Sequence, residues 1–513
     1  QDRFKKSQFQ GRFGAYAMFI DLSGFTPLTE ALMRVGNRGA EQLSIILNEI
    51  FGPLVNLVYA KGGFIPYFAG DSFIAVFPDE DDAISTLHFV QTAILVKNLF
   101  TRREFRFGDF RIGLKIGLSY GDVDWGIVGK ENKSFYFRGS SIDNCAQSQI
   151  RAKEQDIVLD EVLRSKLGYI DFELEEVDQG FYRIAGNPKV SGVPDLRRNF
   201  PKLSKRVAKY FLPDSVVDYQ QDGEFRTVIS VFISFSGVET HELLDLFVSV
   251  VLDQINKFSG YFKEIDFGDK GGVLFGFFGA PVSFENNMER ALEFITASRE
   301  ELRSLQEHTS LKFRMGATVG TAYTGIVGGD ERCQYAAVGN RVNLAARLMT
   351  YADWGEVLVD EELKKLRSFD FDAKGDIKYK GIKGSVPTFK LMGRNHESRQ
   401  AFSGKMVGRN EEIKQLKQYV SDLLTESNPG IAYIYGEAGI GKSRLSHELK
   451  EWLLRKKMGQ WFTCQADQIL KKPFNPFTYF LKNYFYQSAD SSNASNQSNF
   501  DKRFNILLRT LNK

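Results

Sequence analysis

The sequence predicts an α/β (α+β) protein in which one fold occurs twice and a third unit follows, and three observations carry that expectation. The first is an internal repeat: Gly126-Ile127-Val128-Gly129 recurs as Gly325-Ile326-Val327-Gly328, and Gly139 recurs as Gly339, at offsets of 199 and 200 residues. The second is that strand-like apolar runs alternate with helically spaced ones inside each copy. The third is a glycine-rich turn far downstream, Gly436 to Ser443, set between a strand-like run and a helical one.

Further parallels bound the copies. Ala17-Met18-Phe19-Ile20-Asp21-Leu22-Ser23-Gly24-Phe25 matches Val231-Phe232-Ile233-Ser234-Phe235-Ser236-Gly237, and Gly62-Gly63-Phe64 matches Ser259-Gly260-Tyr261. The copies are therefore expected at 12–195 and 224–395, with a linker at 196–223 and a third unit at 400–513. Tyr16 to Ile20 and Phe73 to Phe77 read as strands, and Gly39 to Val58 reads as a helix through Leu43, Ile46, Leu47, Ile50 and Leu54. The join from Asn187 to Gly223, with four prolines and many charges, predicts a linker with one helix at Lys202 to Tyr210. In the third unit Ile431 to Tyr435 predicts a strand and Leu445, Leu449 and Leu453 a helix. Ser488 to Asn499, almost entirely small and polar, predicts a flexible connector.

Composition narrows the function. The 513 residues suit about three domains. A net charge of +3, from 67 basic and 64 acidic residues, gives no global field for nucleic acid or an anionic membrane. No uninterrupted apolar stretch reaches the ~18 residues of a bilayer span, so no membrane span is expected. Cys145, Cys333 and Cys464 are too few and scattered for a disulfide framework, and the five histidines do not join them at zinc-ligand spacing. A cytoplasmic protein is expected, and a first residue of Gln suggests numbering that starts inside a longer chain.

The chemistry-bearing residues divide between the copies. In the first, Asp21 ends an apolar strand and Asp71 sits in the turn of Phe68-Ala69-Gly70-Asp71-Ser72-Phe73. Singly they read as a helix N-cap and a turn residue. Together, at the ends of neighbouring strands, they suit a hard cation such as Mg²⁺, which takes one or two carboxylates plus substrate phosphates. The turn after Asp21, through Phe25 and Thr26, offers backbone N–H groups at a helix start, a seat for phosphate. The second copy lacks both acids, with Ser234 and Gly268 in their places, but has Asn343 and Arg347 four apart on one helix face. An amide and a guanidinium there can orient a ribose and neutralise charge on a phosphate. At those positions the first copy has Asp143 and Gln147. Complementary halves imply that the copies pack face to face, sharing one site and leaving a degenerate second one.

The Phe-Ile-Asp-Leu-Ser-Gly-Phe-Thr, Phe-Ala-Gly-Asp and Val-Asn-Leu-Ala-Ala-Arg blocks resemble the class III nucleotidyl cyclases, and the order of two such domains and a P-loop ATPase is similar to that of the soluble adenylyl cyclases. The resemblance implies an intramolecular pseudo-dimer of ferredoxin-like domains that converts ATP to cyclic 3′,5′-AMP and pyrophosphate. It further implies two Mg²⁺ (or Mn²⁺) ions on Asp21 and Asp71, a ribose held by Asn343, a transition state stabilised by Arg347, and terminal phosphates met by Lys380 or Lys383. Two departures stand out. An ungapped alignment puts Glu264 where adenylyl members carry the base-reading Lys, and Ala336 where they carry Asp or Thr. A carboxylate accepts from guanine N1–H and N2–H₂, whereas adenine N1 needs a donor, so GTP is the alternative substrate. Lys263 is adjacent and could serve instead if the register slips, although a one-residue slip on a regular strand would turn it to the opposite face. Bicarbonate-responsive members place Lys and Arg where this chain has Tyr67 and Ala146, which implies insensitivity to that anion. A cyclase-like nucleotide sensor without catalysis is the other alternative.

Gly436 to Ser443 fits the P-loop pattern, in which Gly436 and Gly441 shape the loop, Lys442 reaches the β/γ-phosphates and Ser443 the Mg²⁺. No apolar strand ending in paired acids occurs in the 70 residues after Ser443, so a missing C-terminal ATPase region is expected, with the aromatic Phe474 to Phe485 segment belonging to its core. Phe107 to Phe110 and Phe275 to Phe278 read as core, and Lys202 to Lys209 as a solvated face.

Overall fold

The computed structural model describes residues 8–395, except 80–84, 104, 169–172, 187, 189, 191, 199–203, 220–222, 269–270 and 383, and residues 406–423, 431–436, 440–457, 461–462, 464, 474, 477, 480–481, 484–485 and 493–511 further on. It divides into two compact units, Gln1–Arg394 and Asn395–Lys513.

The first unit holds both repeats. The first runs β1 (Gln10–Ser23), α1 (Phe25–Met33), α2 (Asn37–Ala60), β2 (Phe68–Ala69), β3 (Ser72–Pro78), α3 (Thr86–Arg103), a small hairpin of β4 (Arg106–Phe107) and β5 (Phe110–Arg111), β6 (Gly113–Val128), β7 (Ser134–Arg138), α4 (Ser140–Arg151), β8 (Ile157–Asp160), α5 (Glu161–Lys166), β9 (Leu174–Asp178) and β10 (Phe181–Ile184). Two short helices follow, α6 (Lys205–Ala208) and α7 (Asp214–Val217). The predicted linker helix is thus shorter than expected within the described residues, and a second one starts just after Pro213. The second repeat runs β11 (Glu224–Ser236), α8 (His241–Lys257), β12 (Tyr261–Gly268), β13 (Gly271–Phe278), α9 (Asn287–Gln306), β14 (Lys312–Gly328), β15 (Cys333–Val338), α10 (Asn340–Tyr351), β16 (Val357–Asp360), α11 (Glu361–Lys364), β17 (Phe369–Ile377) and β18 (Val386–Arg394).

The two sheets have one topology. Their orders are β2-β3-β1-β6-β8-β10-β9, with β7 added on β6, and β12-β13-β11-β14-β16-β18-β17, with β15 added on β14. In each sheet one pair is parallel, β6 with β8 and β14 with β16. The central strands are covered on both faces, so they read as continuous apolar runs. In β1, Tyr16, Met18, Ile20 and Leu22 point into the large core built on α2, while Ala15 and Ala17 lie in a smaller cluster with Ile142 and Cys145 of α4. Close approach of α4 also needs Gly117, where an added Cβ would lie 2.2 Å from Cys145 O. Gly316 does the same beneath α10, 2.2 Å from Met349 N, so the repeat extends to the contact that seats each helix on its sheet.

The repeat also carries a second shared device, Asp160-Glu161 and Leu163 recurring as Asp360-Glu361 and Leu363. Asp160 ends β8 and caps α5, accepting from Leu163 N at 2.9 Å and from Ser119 Oγ at 2.6 Å. Asp360 ends β16 and caps α11, accepting from Leu363 N and Val319 N, each at 3.2 Å. Burial pushes the Asp360 carboxyl up to about 6, against the hydrogen bonds and Arg341. The folded chain therefore binds more protons than the unfolded one between pH about 4 and about 6, so this group's contribution to stability falls as pH rises through that window. In Asp360→Asn, which keeps the capping oxygen, the pH dependence of Tm over that range should flatten relative to the parent. Parallel Tm–pH curves would show that the carboxyl titrates normally.

By length and composition Arg38–Ala60 would suffice to cross a membrane, which the sequence reading overlooked because its apolar residues are not consecutive. Here Leu43, Leu47, Ile50, Leu54, Val55 and Val58 of that helix are fully buried in the core, alongside Tyr323 and Val327 of β14.

In the second unit α12 (Asn410–Leu423) and α13 (Lys442–Arg455) are joined in the described residues by 431–436, which pairs with no strand. The expected strand at Ile431 to Tyr435 is absent because a strand exists only by pairing, and no partner lies among the described residues. The expected connector is corrected as well: α14 (Asn493–Leu511) starts inside it, and 488–492 lie outside the described residues. Phe500 stacks on Phe504 at 5.3 Å and meets Phe485 at 4.6 Å, so aromatic packing beyond Asn499 organises what composition suggested was loose.

Candidate functional site

A pocket forms between the two repeats, built from strand ends and helix starts of both. The first repeat contributes Phe25, Thr26 and Thr29 of α1 and the turn Gly70-Asp71. The second contributes Lys263, Glu264 and Asp266 of β12 and Asn343 of α10.

The acids of the first repeat are brought together by strand pairing. β1 and β3 are antiparallel with Asp21 opposite Ser72, and Leu22 N donates to Asp71 O at 3.1 Å. Gln149 Nε2 on α4 donates to Asp21 Oδ2 at 2.8 Å. Asp71 lines the pocket, whereas Asp21 lies beside it without being one of the lining residues. The half-buried carboxylates of Asp21, near the end of β1, and Asp71, in the β2–β3 turn, are hard-oxygen donors of the kind Mg²⁺ or Mn²⁺ takes. No group of three or more His, Cys, Asp or Glu capable of holding a metal by protein ligands alone occurs among the described residues.

In the second repeat β12 departs from a regular strand at Lys263 and Glu264. Between Phe262 and Glu264 the pairing of β12 with β13 shifts: Phe262 stands opposite Gly276 and Glu264 opposite Phe275, so Lys263 is an extra residue in a β-bulge. The bulge cancels the alternation that would have turned Lys263 away, and both side chains enter the pocket. They are 2% and 7% exposed and paired at 2.6 Å. Lys263 Nζ also donates to Phe68 O of the first repeat at 2.5 Å. Glu264 Oε2 accepts from Gln334 Nε2 at 3.0 Å, and Gln334 Oε1 accepts from Phe68 N at 3.0 Å. A buried ion pair with its remaining valences hydrogen-bonded is the arrangement in which burial of both charges is tolerated.

The other candidates are distributed as follows. Asn343 lines the pocket; Arg347, one turn further along α10, is half-buried just outside it. Ala336 does not line the pocket: its side chain packs in the core shared with the first repeat, and its successors Ala337 and Val338 form the wall. Lys380 is exposed in the turn after β17, outside the pocket, and Lys383 lies outside the described residues. Sequence reasoning missed Gln334, Gln149 and Asp266, which belong to no motif and become conspicuous only through their partners.

Tyr67, expected in the degenerate site, is buried and its hydroxyl exchanges hydrogen bonds with the backbone of Phe267, 3.3 Å each way. Burial, with Asp266 nearby, pushes that phenol well above its ordinary range. Ala146 is fully buried. In the second unit Gly441 precedes α13 in a left-handed conformation, and Lys442 Nζ donates to Gly436 O at 2.9 Å. Ser443 is exposed in the first turn of α13, and 437–439 of the loop lie outside the described residues.

Comparison with known proteins agrees with this architecture. The family model for the adenylate and guanylate cyclase catalytic domain matches residues 14–198 and 235–393, and that for the AAA ATPase domain matches 405–508. The chain is 24% identical to the human protein named adenylate cyclase type 10 over 98% of its own length and 34% of that protein. It is 24% identical to the rabbit protein of that name over 85% of its length and 31% of the relative. It thus spans about a third of the curated relatives it matches. A crystal structure described as a class III adenylyl cyclase-like ATP-binding protein from Pseudomonas aeruginosa aligns with a TM-score of 0.49 at 12% identity, covering 69% of this chain and 85% of that one. With two cyclase-type sheets in pseudo-symmetric register and both segments matched, the chain belongs to the family of adenylate and guanylate cyclase catalytic domains, followed by an AAA ATPase domain.

Proposed function

We propose that the chain is an adenylyl cyclase that closes ATP to cyclic 3′,5′-AMP with release of pyrophosphate at the pocket between its repeats. The observation that carries this reading is that one pocket takes Asp71 from the first repeat and Lys263, Glu264 and Asn343 from the second. Asp21 and Asp71 would hold two Mg²⁺ or Mn²⁺ ions, whose chemistry when bound is to lower the pKa of the ribose 3′-hydroxyl and to neutralise the triphosphate. The backbone of Phe25 and Thr26 at the start of α1 seats phosphate oxygens. Asn343 orients the ribose so that the 3′-oxygen faces the α-phosphorus; that P–O bond forms as the bond to the leaving pyrophosphate breaks. Arg347 stabilises charge on the α-phosphoryl oxygens, and Lys380 meets the terminal phosphates. Lys263 supplies the donor adenine N1 requires, and Glu264 supplies the acceptor for the exocyclic amine that Ala336 lacks.

GTP is the second reading, favoured by Glu264, whose carboxylate can accept from guanine N1–H and N2–H₂. Incubation with ATP or GTP and Mg²⁺ or Mn²⁺, with the cyclic product identified by mass, separates the two. No cyclic product under any combination would leave the sensor reading. The Gly436 to Ser443 loop is proposed to bind ATP for the AAA domain.

Regulation should differ from that of bicarbonate-responsive members. With Tyr67 bonded to the Phe267 backbone and Ala146 buried, neither position offers a cation to the anion. Adding bicarbonate at fixed pH and ionic strength should leave the rate unchanged, and a several-fold rise would refute this.

A further inference from the structure

Phe68 begins the hairpin that ends in Asp71: it pairs with Phe73, Ala69 pairs with Ser72, and Gly70-Asp71 make the turn. This hairpin is the edge of its sheet. The polar groups of an edge strand need partners from elsewhere. At Phe68 both come from the second repeat: Lys263 donates to its carbonyl and Gln334 accepts from its N–H. Gln334 then donates to Glu264, and Glu264 accepts from Lys263. The four residues close a ring of hydrogen bonds through Phe68 C=O, Lys263, Glu264, Gln334 and back to Phe68 N–H. Arg332 extends the grip to the two carbonyls preceding Tyr67, Ile65 O at 3.1 Å and Pro66 O at 2.6 Å. The side-chain amide of Gln334 completes the ring because it carries a donor and an acceptor on one terminus.

We propose that Gln334 is a positioning residue that links the purine end of the pocket to the metal-bearing hairpin, so that occupancy of the Lys263–Glu264 pair and cation affinity at Asp71 are thermodynamically coupled. The inference rests on the nucleotide reading above and adds a role that the motifs do not contain. Gln334 is not among the residues lining the pocket, so replacing it removes no contact to a ligand there. A purine bonded to Lys263 and Glu264 fixes two members of the ring. That fixes Phe68, three residues from Asp71, and the carboxylate is held ready for a cation. By linkage, the factor by which a purine tightens the cation is the factor by which the cation tightens the purine.

The test uses the full chain, Mn²⁺ and adenosine, which carries the purine but no phosphate to chelate the ion. Bound Mn²⁺ is counted by electron paramagnetic resonance with and without saturating adenosine, and the hairpin site is the part lost in Asp71→Asn. In the parent, adenosine should tighten that Mn²⁺ at least about 5-fold, the lower end of usual couplings. In Gln334→Met the factor should fall to about one and Mn²⁺ should bind more weakly without adenosine. Gln334→Glu keeps the acceptor for Phe68 N–H but sets a carboxylate against Glu264, so it should bind Mn²⁺ alone almost as the parent does and still lose the coupling. It decides the matter if the Met variant does not fold. Equal Mn²⁺ affinity with and without adenosine in the parent, or an undiminished factor in Gln334→Glu, would overturn the proposal. A chain that forms no cyclic product yet shows the coupling would sink the cyclase reading alone.

Discussion

Asp71→Ala should reduce cyclic nucleotide formation by at least about 10³-fold, the rate equivalent of losing several kcal/mol of charge stabilisation. The other carboxylates in the pocket are poor substitutes. Glu264 is already bonded to Lys263 and Gln334, and Asp266 stands on β12 with Lys263 and Glu264 rather than on the hairpin. Asp21→Ala should be as severe, and it should also leave the buried Gln149 amide without its acceptor. Arg347→Ala should lower kcat by about 10²- to 10³-fold with little change in KM, as for loss of a group that acts on transition-state charge. Mixing the Asp71 and Arg347 variants checks which repeats share a site. Both halves lie in one compact unit of one chain, so no activity should return. Strong rescue would mean that the halves exchange between chains, and full activity of Asp71→Ala would remove the hairpin from the chemistry.

Much of this site could be read from the sequence because its parts recur or fail to recur at a fixed offset. The loss of both acids from the second copy, and of Asn343 and Arg347 from the first, pointed to a shared site, and the pocket does draw on both repeats. What the sequence could not supply was the consequence of one extra residue. Strand alternation left Glu264 and Lys263 as alternatives on opposite faces, and the bulge between Phe262 and Glu264, which has no composition cue, lets both residues line the pocket. Ala336 was placed by spacing at the base. In the structure Ala336 packs in the core that spans both repeats, and the wall is made by Ala337 and Val338. Gln334 lay two residues before Ala336 with no motif around it; its role exists only in the contact with Phe68 and Glu264. The second unit shows the same limit from another side. The glycine-rich turn and the helix after it follow from local rules, whereas the strand before it depends on partners.

The base should be decided by Lys263 rather than by Glu264 alone. With both side chains in the pocket, adenine meets a donor for N1 and an acceptor for its amine, whereas guanine N1–H is set against an ammonium that cannot accept. Lys263→Met should therefore lower kcat/KM for ATP by about 10- to 100-fold more than for GTP, equivalent to about 1 to 3 kcal/mol for an unpaired buried polar group. The remaining Glu264 carboxylate would suit guanine, so the ATP/GTP ratio should fall and in the limit invert. Loss of the Phe68 contact weakens the hairpin for both nucleotides alike, which is why the ratio, not the rate, is the readout. Glu264→Lys should not improve ATP use, because it would bury two ammonium groups side by side and break the bond to Gln334. Measuring both variants with both nucleotides discriminates fully. An unchanged ratio in Lys263→Met would take Lys263 out of base reading, and a ratio raised by Glu264→Lys would show that the carboxylate opposes adenine rather than accepting its amine.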